Sequence, residues 1–274
     1  MRVEPILFLV LLTSGSLVVE SDSDPALGQC CESHSAGPVR PNAFLLPPAI
    51  DDQEVHGTAS GRVLLKGEVP EVEPLKISEA QAKGCTAEGE ELDRRDLRLL
   101  VGEDRGVANA VVTIEVAGDE LRVPEAPIVL DQVQCRFDQH VLLVPVGSTL
   151  EYRNSDEVPH NVHTYSLRNK AFNVTLAAGG KKQQVVREAE TIQIRCDIHP
   201  WMGAFVFVSD TSYAAITDAH GAFEISGLPP GEYEARIWHE TLGKGRATVV
   251  VREDGSSEAI EVELERKQRR RRRR

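Results

Sequence analysis

From Gly61 onward the chain is built of short apolar runs, each broken after a few positions by glycine, asparagine, aspartate or proline. GRVLLKGEV, LRLLVG, NAVVTIEVAG, HVLLVPVG, STLEYRN, TIQIRC and AFVFVSD are rich in Val, Ile and Leu and bounded by turn residues, the pattern of β-strands. No run sustains a helical period, and the short polar stretch SEAQAKG comes nearest to one. Many short strands with frequent turns predict an all-β protein built as a sandwich or barrel. After Ser209 the same texture recurs on a smaller scale. TDAHGAFEI reads as a hairpin turning at Gly221, and the prolines of GLPPGEY fix a second turn before the strand EYEARIW.

The N-terminus differs. An apolar run from Ile6 to Leu12 is followed by the small residues Ser14, Gly15 and Ser16, which predicts a secretory signal peptide over residues 1–20 and export to a periplasm or cell envelope. That run is too short for a stable membrane span, and no other segment approaches the roughly 20 apolar residues a spanning helix needs. Cys30 and Cys31 follow too late for a lipid anchor directly behind the apolar run, and are read as free or intermolecular. Residues 21–56, rich in Ser, Asp, Pro and Gly, are predicted to be a disordered linker.

Length and charge narrow the partners. A chain of 274 residues with 41% hydrophobic composition has room for one or two domains with real cores. The formal net charge is −12, but the last nine residues, RKQRRRRRR, hold eight of the 31 basic side chains. The rest of the chain sets 23 basic against 43 acidic groups, a balance of −20. So acidic a body excludes nucleic acid as its partner and would steer a basic protein toward itself. Residues 265–274 are read as a solvated, disordered tail, or as a weak, salt-sensitive anchor to an anionic surface.

The chemistry concentrates in RCDIHPWMGAF, where Cys196, His199 and Met202 fall at intervals of three. Alternation along TIQIRC puts Ile192, Ile194 and Cys196 on one face, so Cys196 points inward at the end of a core strand. Pro200 stiffens the loop that follows. A fourth donor is expected from another loop at the same end of the sandwich, and His160, after Pro159 in RNSDEVPHNVHTYS, is the best candidate. One thiolate, two imidazoles and one thioether are the trigonal set with a weak axial Met found in blue-copper electron-transfer sites. Zinc competes chemically, but structural zinc prefers four strong donors and makes little use of thioethers.

CDIHPWM resembles the ligand loop of the cupredoxin family, most closely that of the amicyanins, and PHNVH resembles their upstream ligand segment. The resemblance implies a Greek-key β-sandwich holding one type 1 copper ion through His160, Cys196, His199 and Met202, and a role in passing single electrons. It further implies that Asn161 helps lock the two ligand loops, that Asp197 replaces a small hydroxyl residue, and that the exposed edge of His199 is the electron exit. The match covers residues 120–208. TDAHGAFEISGLPPGEYEARI resembles the carboxypeptidase regulatory-like or transthyretin-like β-sandwich. The expected organisation is thus a cupredoxin-like domain over 57–208, with an N-terminal β extension, followed by a small β-sandwich-like regulatory domain over 209–264. At about 55 residues that second domain is short to stand alone. It either docks on the first domain or borrows the GRVLLKGEV strand.

Other polar residues are read more plainly. His163 faces away from His160 in an extended segment and is not expected to be a ligand. Cys85 and Cys135 either form a disulfide or, in the case of Cys135 with His140, contribute to a second metal site; the disulfide is simpler because no fourth ligand accompanies the latter. The sequon Asn173-Val174-Thr175 has little weight. There is no phosphate-binding glycine loop or serine elbow, and His239 and Glu240 lack the second histidine of a zinc protease, so a carrier rather than an enzyme is expected. The expected partner is a cytochrome or a periplasmic oxidoreductase. The alternative is a cell-envelope binding or structural module, engaging carbohydrate or protein through its C-terminal domain, with a secondary or degenerate metal site.

Overall fold

The apolar runs build an all-β structure. The computed structural model describes residues 55–266 apart from Glu88 and Glu103. The expected signal peptide, nearly all of the linker, Cys30, Cys31 and the arginine run lie outside the described residues. Among these residues the strands are β1 (Gly57–Leu65), β2 (Val111–Ile114), β3 (Ile128–Val133), β4 (Arg136–Phe137), β5 (Val141–Pro145), β6 (Thr149–Asn154), β7 (His160–Tyr165) and β8 (Asn173–Leu176). They continue as β9 (Lys181–Val185), β10 (Glu190–Arg195), β11 (Gly203–Ser209), β12 (Ala214–Ile216), β13 (Ala222–Leu228), β14 (Gly231–His239), β15 (Gly243–Val251) and β16 (Ile260–Leu264). SEAQAKG supplies α1 (Glu79–Ala82), whose Ser78 and Gln81 form a capping box. LRLLVG contributes only a bridge between Val101 and Val107, because the chain turns at Asp96, whose carboxylate accepts from the Arg98 amide at 3.1 Å.

Strands β3 to β11 form one sandwich. Its sheets run β5-β11-β10-β7-β8 and β4-β3-β6-β9. Ile128, Leu130, Leu150 and Tyr152 from one sheet interlock with Leu142, Val162, Ile192, Ile194 and Val206 from the other in a single core. Strands β1, β2 and β12 to β16 form a second sandwich, with sheets β13-β1-β16 and β12-β2-β14-β15. Its core holds Val63, Leu65, Val112, Ile114, Phe223, Ile225, Ile237, Val249 and Leu264.

The expected boundary at residue 208 follows chain order, whereas the sheet pairing does not. β1 runs antiparallel to β13 and parallel to β16, and β2 lies between β12 and β14. The first sandwich is therefore inserted between β2 and β12 of the second. The physical reason is area: the five strands after Ser209 cannot bury two sheet faces, and β1 and β2 complete them. The two chain crossings are tied together where Thr211 donates to the Ile114 carbonyl (2.8 Å) and the Ser212 amide donates to Asp119 (2.7 Å).

VLLVP, the whole of β5, is buried at every position. Leu142 and Val144 face the first core, while Val141 and Leu143 face outward onto Val111, Ala214, Ile216 and Trp238 of the second sandwich. An uninterrupted apolar strand is what burial on both faces requires. Phe205 and Phe207 of β11 join this joint, with ring centroids 5.4 and 5.9 Å from Trp238. Beside it, His140 pairs with Glu240 across the two sandwiches.

Candidate metal centre

β10 carries the alternation of TIQIRC into the structure: Ile192 and Ile194 are buried, Arg195 is exposed, and Cys196 is buried just past the strand end. The loop beyond it closes on itself. The Met202 amide donates to the His199 carbonyl (2.9 Å), the Cys196 amide to the Met202 carbonyl (3.2 Å), and the His199 amide to Cys196 Sγ (3.4 Å). His160 opens β7 and is wholly buried. The four predicted donors thus lie in the same buried end of one sandwich. The ligand atoms of His160, Cys196 and His199 all fall within 4.8 Å of one another. Met202 is buried in the same core cluster as Cys196.

The ring nitrogens are directed. Asp156 Oδ2 lies 2.7 Å from His160 Nε2, and a carboxylate only accepts, so the proton sits on Nε2. In the neutral ring, the form that could bind a metal, Nδ1 of His160 then keeps the lone pair, and it faces His199 Nδ1 at 2.9 Å. Burial pushes the His160 pKa down, but hydrogen bonds to Asp156 and Cys196, together with their negative charges, outweigh it and raise the pKa to about 9. For Cys196, burial raises the pKa, yet the His160 hydrogen bond and the amides of Asn161, His199 and Ile198 bring it below the ordinary thiol value. Burial also lowers His199, and the neighbouring His160 charge lowers it further. Without a metal the site therefore favours a Cys196 thiolate beside a protonated His160, whose Nδ1 proton a metal would displace; one thiolate and two imidazoles are a donor set that fits a soft or borderline metal such as copper.

Asp156 was not singled out in the sequence. An aspartate in the turn SDEVP is ordinary, and only its position four residues before His160 hints at the pairing. It also accepts from the Gln134 amide (2.6 Å) and the Cys135 amide (2.8 Å). Burial raises its own pKa, but the His160 bond and the two amides bring it below the usual carboxylate value. Asn161 joins the two ligand segments: its Oδ1 accepts from the Asp197 amide and its Nδ2 donates to the Asp197 carboxylate at 3.1 Å. Asp197, in place of a small hydroxyl, thus takes part in the tie. His163 lies 3.2 Å from Asp197 and outside the buried group.

One alternative is closed and one expectation changes. Cys135 forms a disulfide with Cys85 (S–S 2.04 Å) and His140 is paired with Glu240, so these residues do not make a second metal site. His199 was expected at an exposed edge, but it is only 8% exposed. The disulfide explains this, because the sulfurs of Cys85 and Cys135 lie within 4.8 Å of a His199 ring nitrogen. That cover comes from a segment more than a hundred residues upstream, which the ligand loop cannot reveal.

No family model matches the chain, and no curated protein is similar to it. Solved structures that it resembles include amicyanins, a purple cupredoxin and a copper-containing nitrite reductase. A reduced amicyanin variant is 28% identical, with 36% of this chain and 98% of that one covered at a TM-score of 0.29. A purple cupredoxin from Nitrosopumilus maritimus is 28% identical over 31% of this chain and 100% of its own, at 0.27. A copper-containing nitrite reductase from Thermus scotoductus is 22% identical over 35% of this chain, at 0.29, and only 25% of the reductase is covered. Each of these likenesses spans about a third of the chain.

Proposed function

We propose that this protein is an exported carrier of single electrons that holds one type 1 copper ion through His160, Cys196, His199 and Met202. The observation that supports the reading is the buried His160–Cys196–His199 group, with donor atoms within 4.8 Å of one another and a carboxylate fixing one tautomer. Copper bound there would cycle between Cu(I) and Cu(II), which thiolate and imidazole donors both accommodate. The chain's own residues do the rest. Asp156 orients His160, Asn161 and Asp197 hold the two ligand segments together, and Trp201 packs its ring 5.1 Å from that of His199. Apolar packing by Ile194, Ala204 and Val162 keeps water from the thiolate.

Export is part of the same proposal and rests on the Ile6–Leu12 run. Among the described residues no helix is long and apolar enough to cross a membrane. The partner is proposed to be a basic cytochrome or periplasmic oxidoreductase that meets the acidic body through a small, salt-sensitive interface. Metal analysis and a visible spectrum of the exported protein test the reading. Intense blue thiolate-to-copper absorption, lost in Cys196→Ser and bleached reversibly by reductant, is the expected result. A colourless or zinc-loaded protein would overturn it and favour the binding-module alternative.

A further inference from the structure

Cys135 meets the metal centre in three ways. Its amide donates to Asp156, which orients His160 (2.8 Å). Its carbonyl accepts from the indole nitrogen of Trp201, inside the ligand loop (3.1 Å). Its sulfur, bonded to Cys85, lies within 4.8 Å of a ring nitrogen of His199. Gln134 and Cys135 also hold left-handed backbone conformations (φ 53° and 51°), and Asp156 caps both of their amides. The disulfide thus joins this turn, and through it both histidines, to the segment that carries Cys85.

The Ser78–Cys85 turn is exposed apart from Ala82 and Cys85, whereas the rest of that segment is anchored, with Arg136 donating to the Asp93 and Arg95 carbonyls and Leu92 packed against the first core. Between β1 and β2, among the described residues, the only helix or strand is the four-residue α1, and none of its side chains is buried. Cys85 itself is 2% exposed and packs in the core cluster that contains Cys196 and Met202. Gly84 presses close to the loop before His160: a Cβ there would stand 2.6 Å from Val158 Cγ1. A turn with so few buried contacts belongs to the part of a protein that opens most easily. One covalent bond, closing a loop over a sequence separation of 50, ties this turn to the site.

We propose that Cys85–Cys135 is a redox latch on the metal centre. Oxidised, it holds the Ser78–Cys85 turn against His199 and closes the site; reduced, it releases the turn and opens the site to metal exchange. Reduction consumes one dithiol: a thiolate of the reductant attacks one sulfur, the S–S bond breaks, and two electrons and two protons end on Cys85 and Cys135 as thiols while the reductant leaves as its own disulfide. The bound metal takes no part in that step. The latch rests on reading His160, Cys196 and His199 as metal ligands, and its test separates the two ideas.

Two rates are measured on the full chain, as the disulfide form and as Cys85→Ser/Cys135→Ser. The first is alkylation of Cys196 by iodoacetamide in metal-free protein, read by mass spectrometry on the peptide that contains it. The second is loss of Cu(II), loaded as the metal alone, to excess chelator. Both should rise at least about tenfold in the double variant, since opening no longer works against the staple. Rates within twofold of the disulfide form, in a variant with unchanged circular dichroism, overturn the latch. If no copper binds but Cys196 alkylation still accelerates, the metal reading fails and the latch stands as a cover over Cys196. Should the double variant not fold, the same rates are taken on native chain reduced with a phosphine and then reoxidised. Faster rates that return to slow on reoxidation support the latch; rates indifferent to the cycle overturn it.

Discussion

Replacing Asp156 by Asn keeps the size of the side chain and removes its charge, so it isolates what the carboxylate does. Oδ2 of Asp156 accepts two N–H groups, from His160 at 2.7 Å and from Cys135 at 2.8 Å, while Oδ1 accepts from Gln134 at 2.6 Å. An amide can satisfy only one side of this arrangement. With its oxygen kept toward Gln134, its NH₂ faces two donors; turned the other way, it faces the Gln134 amide. In the first orientation His160 relieves the clash by moving its proton to Nδ1, the nitrogen directed at His199 and needed for the metal. Loss of such an outer partner costs about 10- to 100-fold in metal affinity, or about 1.4–2.7 kcal/mol. The stranded Cys135 amide, in a residue that is fully buried, adds a folding cost of about 1–3 kcal/mol. Copper competition titration against a chromophoric chelator reads the first quantity, and urea unfolding of the metal-free protein reads the second. A variant with lowered stability whose copper dissociation constant stays within twofold of the parent would refute the orienting role and leave Asp156 as a turn cap only.

Three further predictions concern the second sandwich and the bonds from Ser166, Leu167 and Asn169 to Glu190. His239 is 2% exposed, accepts from the amides of Thr241 and Leu242 (3.1 and 3.2 Å), and has its pKa pushed to about 4 by burial and then by nearby His140. The unfolded chain takes up that proton first. The stabilisation is therefore complete above pH 6.5 and is lost as pH falls toward 4, by about 3 kcal/mol. Glu190 acts in a lower window. Although burial raises its pKa, bonds from the Ser166 hydroxyl, the Asn169 and Leu167 amides and the Asn169 side chain lower it to about 2, so its contribution is present above pH 4.5 and fades toward 2. Urea midpoints at pH 7.5, 5.5 and 4 should fall less steeply in His239→Gln than in the parent; parallel profiles would contradict the assignment. Gly221→Ala tests the pairing of β1 with β13: Gly221 sits at φ +73°, and a Cβ would approach the Val63 carbonyl oxygen to 2.4 Å. Its expected cost is at least about 2 kcal/mol by denaturant unfolding, and a loss under about 0.5 kcal/mol would rule out this close approach.

The sequence made the strands legible where their signal is local, and left the partners hidden where it is not. TIQIRC and AFVFVSD alternate and end at turn residues, and they are neighbouring strands of one sheet. GRVLLKGEV reads equally clearly as a strand. Yet nothing near it says that Gly61 pairs with Phe223 on one side and Ile260 on the other. Pairings that span about two hundred residues depend on which apolar faces remain uncovered once the nearer strands have folded, a property of the whole set. HVLLVPVG held a partial clue, because an unbroken apolar run belongs in a strand with both faces covered, and the second cover proved to be the other sandwich.

The same division holds at the candidate metal centre, where the donors within one loop were visible and Asn161 was expected from the family resemblance, while the other residues that brace them were not. Cys196, His199 and Met202 lie within seven positions, so their convergence follows from a single turn. Their supports come from three distant places. Asn161 ties the loop at Asp197, the Cys135 carbonyl holds Trp201, and His140, paired with Glu240 of the second sandwich, sits 3.2 Å from the carbonyl of Gly203 where the loop re-enters a strand. A loop fixed at its start, middle and end by groups outside it has little freedom to rearrange when the charge on a bound ion changes. For the proposed one-electron role this matters more than the identity of the donors, since Cys, His and Met would serve an exchangeable metal equally well. The inserted topology has a physical consequence here: it sets Glu240 against the exit of the ligand loop, and so makes the second sandwich part of the mounting of the site.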